Sequence, residues 1–93
     1  MSKTASAIVT VANKLGLHAR PATLFAEIAS GVEADIKVRR CDYGEAVDGK
    51  SIMQMMMLAA TEGTQIEITA VGDDANDAVA ALVALVESRF TED

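Results

Sequence analysis

The sequence predicts an α+β fold, a two-layer sandwich in which four strands form one sheet and three helices cover one of its faces. The first indication is that segments with strict apolar alternation, as in 34–40 and 65–71, are interspersed with segments of helical spacing. The second is the order of these segments, which turn residues divide into strand, helix, strand, strand, helix, strand and helix. The short connection between the second and third strands makes the sheet at least partly antiparallel.

The bulk composition indicates one compact domain over residues 1–93. Apolar residues make up 51% of the chain, enough for one core and too few for two. The net charge of −6 argues against nucleic-acid or anionic-membrane partners. No apolar run approaches a membrane span and no signal-peptide core precedes the first strand, so a cytoplasmic location is expected. One cysteine and one histidine are too few for a disulfide framework or a dedicated Cys/His site, so no metal and no cofactor is expected.

The first strand and the first helix are predicted on either side of a polar corner. The strand covers 5–11, with alternation that places Ala7, Val9 and Val11 on one face. The helix covers 19–30 and ends at Gly31. Its apolar stripe is expected to consist of Ala22, Phe25, Ile28 and Ala29, with Leu24 flanking it.

The middle of the chain predicts a hairpin. Residues 34–40 alternate cleanly and place Ile36 and Val38 inward. The basic side chains of this segment are interpreted as a solvated face: Lys37, Arg39 and Arg40. A turn over 41–44 leads to a weak third strand over 45–47.

The last part of the chain predicts a short helix, a strand and a long helix. The short helix covers 51–60 and is capped by Ser51. The strand covers 65–71 and buries Ile66, Ile68 and Ala70. A turn and N-cap over 72–74 precede the final helix, and the tail over 91–93 should fray. The apolar stripe of that helix is predicted at Val79, Leu82, Val83, Val86 and Phe90.

The candidate site is the stretch Gly16–Ala22, which holds the only histidine and the only proline of the chain. Pro21 favours the first turn of a helix, so His18 falls at a strand-to-helix junction. The unpaired N–H groups and the dipole of a helix N-terminus attract anions, phosphate above all. Arg20 can add a charge-assisted contact, and a neutral imidazole is a competent nucleophile towards phosphorus. A lone histidine at a helix start is more often structural, but its combination with Arg20 and Pro21 indicates phosphoryl chemistry.

The stretch Gly16–Ala22 resembles the active-site motif of the HPr-like histidine phosphocarriers of the phosphoenolpyruvate phosphotransferase system. The element order resembles theirs over nearly the whole chain. Asn13–Gly16 and the acidic ending 90–93 look most like the nitrogen-related branch, NPr. The resemblance implies an open-faced β-sandwich with an antiparallel sheet in the order 1-4-2-3 and all helices on one face.

The resemblance also implies a role for each residue of the motif. His18 would be phosphorylated on Nδ1 by phosphorylated Enzyme I and would pass the phosphoryl group to an EIIA-type protein. Ala19 and Arg20 would offer backbone N–H groups to the phosphate and Arg20 its guanidinium, while Pro21 fixes the helix start beside them. The protein would then be a monomeric phosphoryl carrier and not an enzyme. One histidine at a helix end can suffice for this role, because phosphoryl transfer needs positioning and charge stabilisation more than covalent machinery.

Two further features concern partners. Residues 50–53 match the region where many relatives carry a serine phosphorylated by a dedicated serine kinase/phosphorylase, so Ser51 is a candidate regulatory site, although capping alone would explain it. Four of the five residues 53–57 are methionine, and a short helix cannot turn all of them inward. The candidate surface for Enzyme I and EIIA consists of Leu17, Ala22, Met53, Met56 and Met57.

Two alternatives stay open. Within the family, the chain could be a sugar-transport HPr rather than a nitrogen-related carrier. From a different class, it could be a small non-catalytic α+β binding module whose histidine is incidental. Labelling by phosphoenolpyruvate and Enzyme I separates the carrier from the binding module.

Overall fold

The helices and strands follow the predicted order. The computed structural model describes residues 3–91. Within them, no helix is long and apolar enough to cross a membrane, and no group of three or more His, Cys, Asp or Glu side chains is arranged to hold a metal ion. The elements are β1 (Thr4–Thr10), α1 (Ala19–Ser30), β2 (Asp35–Arg40), β3 (Val47–Asp48), α2 (Ile52–Met57), β4 (Gln65–Val71) and α3 (Ala75–Glu87), followed by a 3₁₀ turn at Arg89–Thr91.

The four strands form one antiparallel sheet in the order β1-β4-β2-β3, as the resemblance implied. In its middle, Ile68 of β4 pairs with Ala7 of β1 and Val38 of β2. Alternation along β4 turns Ile66, Ile68 and Ala70 to one face, where all three are buried as predicted. The helices cover this face. The other face is open and leaves Ile8 of β1 58% exposed.

The buried face of α1 differs from the prediction at one position. Ile28 was expected on the apolar stripe but is 36% exposed, and Ala26 is buried instead. Successive helical residues are about 100° apart, so Ile28 lies more than a quarter of a turn from the centre of the face formed by Ala22, Phe25 and Ala29. Gly31 ends the helix, as predicted.

The hairpin is confirmed, but its second strand is shorter and later than predicted. The strand expected over 45–47 is Val47–Asp48, paired with Val38 and Lys37 of β2. Residues 41–46 form the connection. The apolar Val47 decides the register because it faces Val38, whereas the residues before it are exposed.

Phe90 belongs to the core but not to α3, where the prediction placed it. The helix ends at Glu87, and the next turn has positive φ at Arg89, Phe90 and Thr91, with values of 58°, 55° and 58°. Phe90 lies in this left-handed turn, and its side chain is buried in the core. The rest of the tail expected to fray, residues 92–93, lies outside the described residues.

Asp74 precedes α3, as predicted, but its carboxylate does not cap the helix. It accepts hydrogen bonds from the backbone N–H groups of Glu33 and Ala34, both at 2.9 Å. These bonds, the one from Glu33 first, lower the pKa of Asp74 against the opposing effect of burial. Asp74 therefore ties the start of α3 to the chain that enters β2.

Candidate functional site

The loop that leads into α1 is held in one conformation from two sides. The backbone N–H of Leu17 donates to the carbonyl oxygen of Ala60 at 2.9 Å. Gly16 has φ +65°, and a Cβ there would overlap the Ala60 oxygen and lie 2.8 Å from Thr61 Cα, so only glycine fits. From the other side, the buried side chain of Asn13 donates from Nδ2 to the Gly16 carbonyl at 2.7 Å.

His18 is the N-cap residue of α1, as predicted from Pro21. Its backbone is extended, with φ −77° and ψ −171°, and its carbonyl accepts the first helical hydrogen bond, from the Ala22 N–H at 3.1 Å. Pro21 has no N–H, so Ala19 and Arg20 supply the first-turn donors that have no carbonyl partner within the helix. The positive end of the helix dipole lies at the same place, and the first turn contains no acidic residue. The surroundings of the His18 backbone therefore favour an anion.

The neighbours of His18 in the motif divide into exposed and buried residues. Ala19 and Arg20 are both exposed residues. Pro21 is buried beneath them. Its position in the first turn, with a fixed φ and no N–H, suits its expected role of fixing the helix start beside the phosphate-cradling residues Ala19 and Arg20.

The predicted partner surface is only partly at the surface of the protein. The side chains of Leu17 and Ala22 are buried, so the expectation that they contact a partner is wrong: both pack into the core. In α2, Met55 is buried, whereas Met53, Met56 and Met57 are exposed by 75%, 43% and 73%. These three residues are named here the methionine surface. The helix that carries this surface, α2, packs against α1.

Ser51 caps α2, as predicted. Its hydroxyl oxygen accepts a hydrogen bond from the Gln54 N–H at 3.2 Å. Gln54 in turn accepts one from the Asp48 N–H at 2.9 Å, and the Ser51 N–H donates to the Asp48 carbonyl at 3.1 Å. The serine is therefore part of a local network that joins β3 to α2.

Arg40 is a residue whose position the sequence interpretation missed. It was assigned to a solvated face, but its side chain is only 14% exposed and lies on the core side of β2. The signal was present, because Arg40 is two residues after Val38 and four after Ile36, and alternate residues of a strand share a face. For Arg39 the interpretation fits better, since its half-exposed side chain pairs with Glu67 on the open face.

The fold and the site together define a class: an open-faced sandwich whose one histidine begins a helix with anion-attracting donors. A family model described as "PTS HPr component phosphorylation site" matches residues 5–88. Phosphocarrier protein HPr of Pseudomonas aeruginosa is 44% identical over 84 residues, covering 90% of this chain and 92% of that protein. Phosphocarrier protein NPr of Escherichia coli K12 is 40% identical over 85 residues, covering 91% and 93%. The crystal structure of HPr-C-His from Thermoanaerobacter tengcongensis superposes with a TM-score of 0.88 at 40% identity, covering 96% and 98%.

The chain therefore belongs to the HPr family of phosphocarrier proteins of the phosphotransferase system. Proteins of this family carry phosphoryl groups rather than catalyse reactions, and they interact with enzymes of that system. Relatives named HPr and NPr match this chain to a similar degree.

Proposed function

We propose that His18 accepts a phosphoryl group on Nδ1 from phosphorylated Enzyme I and passes it to an EIIA-type protein. The observation that carries the proposal is the position of His18 at the start of α1, with the N–H groups of Ala19 and Arg20 beside it. The third residue of the helix, Pro21, has no N–H group. In each transfer one bond to phosphorus forms as another breaks, so the carrier needs no cofactor of its own.

The first turn of α1 supports this role through positioning and charge. The N–H groups of Ala19 and Arg20 can donate to phosphate oxygens, and the guanidinium of Arg20 can add a charge-assisted contact. These donors are attached to a backbone that Gly16 and the Leu17–Ala60 hydrogen bond hold in place, so little reorganisation is needed during transfer.

The proposal is tested by incubating the protein with phosphoenolpyruvate and Enzyme I. We expect stoichiometric label that is labile in acid and stable in base, and no label in His18→Ala with an unchanged circular dichroism spectrum. Arg20→Ala should retain the label but slow its transfer by roughly tenfold, the effect of one lost hydrogen bond to a charged group. An unlabelled native protein, or equal label in His18→Ala, refutes the phosphocarrier role of His18 and favours the non-catalytic binding module.

We propose that the methionine surface is where Enzyme I and the EIIA-type protein dock in turn. Flexible, polarizable side chains suit a surface that must fit two partners, and exposed apolar side chains this close together favour an interaction site. Met53→Ala and Met57→Ala should raise the KM for Enzyme I several-fold and leave kcat unchanged. Ile8→Ala is the matched control, because Ile8 is also an exposed apolar residue but lies on the open face of the sheet.

We further propose that the chain is a monomeric single domain over residues 1–93 and is located in the cytoplasm.

We also propose that it serves a nitrogen-related, regulatory system. The support for this system is the NPr-like Asn13–Gly16 sequence, in which the asparagine side chain donates a hydrogen bond to the Gly16 carbonyl. A side-by-side assay with sugar-type and nitrogen-type Enzyme I should give the higher kcat/KM with the nitrogen type. A higher kcat/KM with the sugar-type Enzyme I would assign the chain to sugar transport. Light scattering measures the molar mass in solution and so tests whether the protein is a monomer.

For Ser51 we propose a capping role, with phosphorylation by a serine kinase occasional or absent. The hydroxyl already accepts the Gln54 N–H, which supports the structural role. Stoichiometric label from a dedicated serine kinase that disappears in Ser51→Ala would contradict this and make Ser51 a regulatory site.

A further inference from the structure

We propose that Arg40 is a positioning residue for phosphoryl transfer, which holds the backbone turn after α2 in the conformation that seats the His18 loop. This inference rests on the proposed function of His18. It extends that function to a side chain on a different element, the last residue of β2.

The guanidinium of Arg40 contacts both the backbone after α2 and two side chains of the hairpin. Its Nη1 donates to the carbonyl oxygens of Leu58 at 3.3 Å and Ala59 at 2.9 Å. Its Nε and Nη2 donate to the two carboxylate oxygens of Asp42 at 3.0 Å and 2.9 Å, and the guanidinium lies 4.4 Å from the ring centre of Tyr43. These two carbonyl groups and two side chains fix the orientation of the guanidinium. The set of Arg40, Asp42 and Tyr43 is named here the Arg40 clamp.

The charges of the clamp are stable at neutral pH. The hydrogen bond from Arg40 is the main cause that lowers the pKa of Asp42, and the same bond is the main cause that raises the pKa of Arg40. The pair stays ionised, so the guanidinium remains a charged donor to the backbone of the turn after α2.

The backbone that the clamp holds is strained. Ala59 has φ +53°, a left-handed conformation that residues with a Cβ rarely adopt and that glycine adopts freely. A strained conformation persists only where its surroundings enforce it. The hydrogen bond from Arg40 to the Ala59 carbonyl is such an enforcing contact, and it acts on the residue that carries the strain.

The strained turn is directly connected to the site. Ala60 follows Ala59, and its carbonyl accepts the hydrogen bond from the Leu17 N–H at 2.9 Å. The same oxygen leaves no room for a Cβ at position 16, so that position must be glycine. Leu17 precedes His18, so a shift of the Ala59 turn moves the support on which the histidine and the first turn of α1 are placed.

The test uses Arg40→Met, with Arg39→Met as the matched control. Arg39 is the adjacent arginine, but it pairs with Glu67 on the open face and does not contact the turn after α2. In Arg40→Met we expect hydrogen exchange of the Leu17 amide to accelerate by about tenfold, the effect of losing a hydrogen bond that involves a charged group. Phosphorylation by Enzyme I should show a lower kcat with KM within twofold of the native value, and Arg39→Met should change neither.

A second variant separates positioning from general stability. Ala59→Gly removes the conformational cost at φ +53° without restoring any contact of the arginine. In the Arg40→Met background it should return kcat and Leu17 exchange to within about threefold of the native values. Failure of this rescue, or unchanged Leu17 exchange in Arg40→Met, overturns the inference. Failure of the proposed function is distinguishable, because the native protein would then take no label while the amide exchange still reports on the clamp.

Discussion

Gly16→Ala is expected to destabilise the protein and to slow phosphoryl transfer, because the structure leaves no room for a methyl group at this position. The native φ of +65° costs a residue with a Cβ about 1–2 kcal/mol. The added Cβ also overlaps the Ala60 carbonyl oxygen, so the hydrogen bond from the Leu17 N–H to that oxygen must lengthen or break. That loss adds about 0.5–1.5 kcal/mol. The expected fall in the free energy of unfolding is therefore about 1.5–3.5 kcal/mol.

Gly44→Ala is the control that separates the backbone cost from the overlap. Gly44 also has a positive φ, +93°, but nothing lies within 4 Å of a Cβ built there. This variant should lose only about 1–2 kcal/mol and should be phosphorylated at the native rate. Urea unfolding followed by far-ultraviolet circular dichroism measures both variants, since the chain has no tryptophan. Equal losses in the two variants, or a native phosphorylation rate in Gly16→Ala, would refute the claim that Ala60 seats the loop.

Three other predictions concern the surroundings of the site. Met55→Ala, at a buried methionine, should lower the free energy of unfolding by about 2–4 kcal/mol. Met53→Ala, at an exposed methionine, should change it by less than about 0.5 kcal/mol, and equal losses in urea titrations would contradict the burial of Met55. Ser51→Ala should cost about 1 kcal/mol in the same assay through loss of the helix cap, and no loss would argue against capping. The pKa of Asp74 is lower in the folded protein than its unfolded value of about 3.9, so its stabilisation is present above that pH and lost as the pH falls through the folded value. Asp74→Asn should therefore flatten the acid limb of a plot of unfolding free energy against pH, and an unchanged limb would refute the role of this carboxylate.

Much of the site could be predicted because its signals are local. Pro21 is compatible with only the first turn of a helix, and that restriction alone placed His18 at the N-terminus of α1. Ser51 was predictable as a cap for the same reason, since a hydroxyl reaches an N–H three residues ahead without help from the rest of the chain. Alternation in β2 and β4 likewise identified the buried residues of both strands.

The errors in the prediction concern residues whose surroundings come from distant parts of the chain. Leu17 and Ala22 are near His18 in sequence, but both side chains are buried and belong to the core formed with residues from distant parts of the chain. Phe90 continues the helical spacing of α3, yet a left-handed turn after the helix carries it into the core. Arg40 has the composition of a solvated face but finds its partners in the carbonyl groups after α2, 18 and 19 residues later.

The order of the elements, the strand faces and the helix start at His18 could all be derived from the sequence, because each depends on contacts within a few residues. How the loop before His18 is held depends instead on contacts between distant segments. Gly16, Leu17 and Ala60 meet because β1, α2 and β4 are packed in one particular arrangement, and the turn at Ala59 is strained in a way that no local propensity indicates. Non-local hydrogen bonds and excluded volume set these positions, and neither can be read from spacing along the chain.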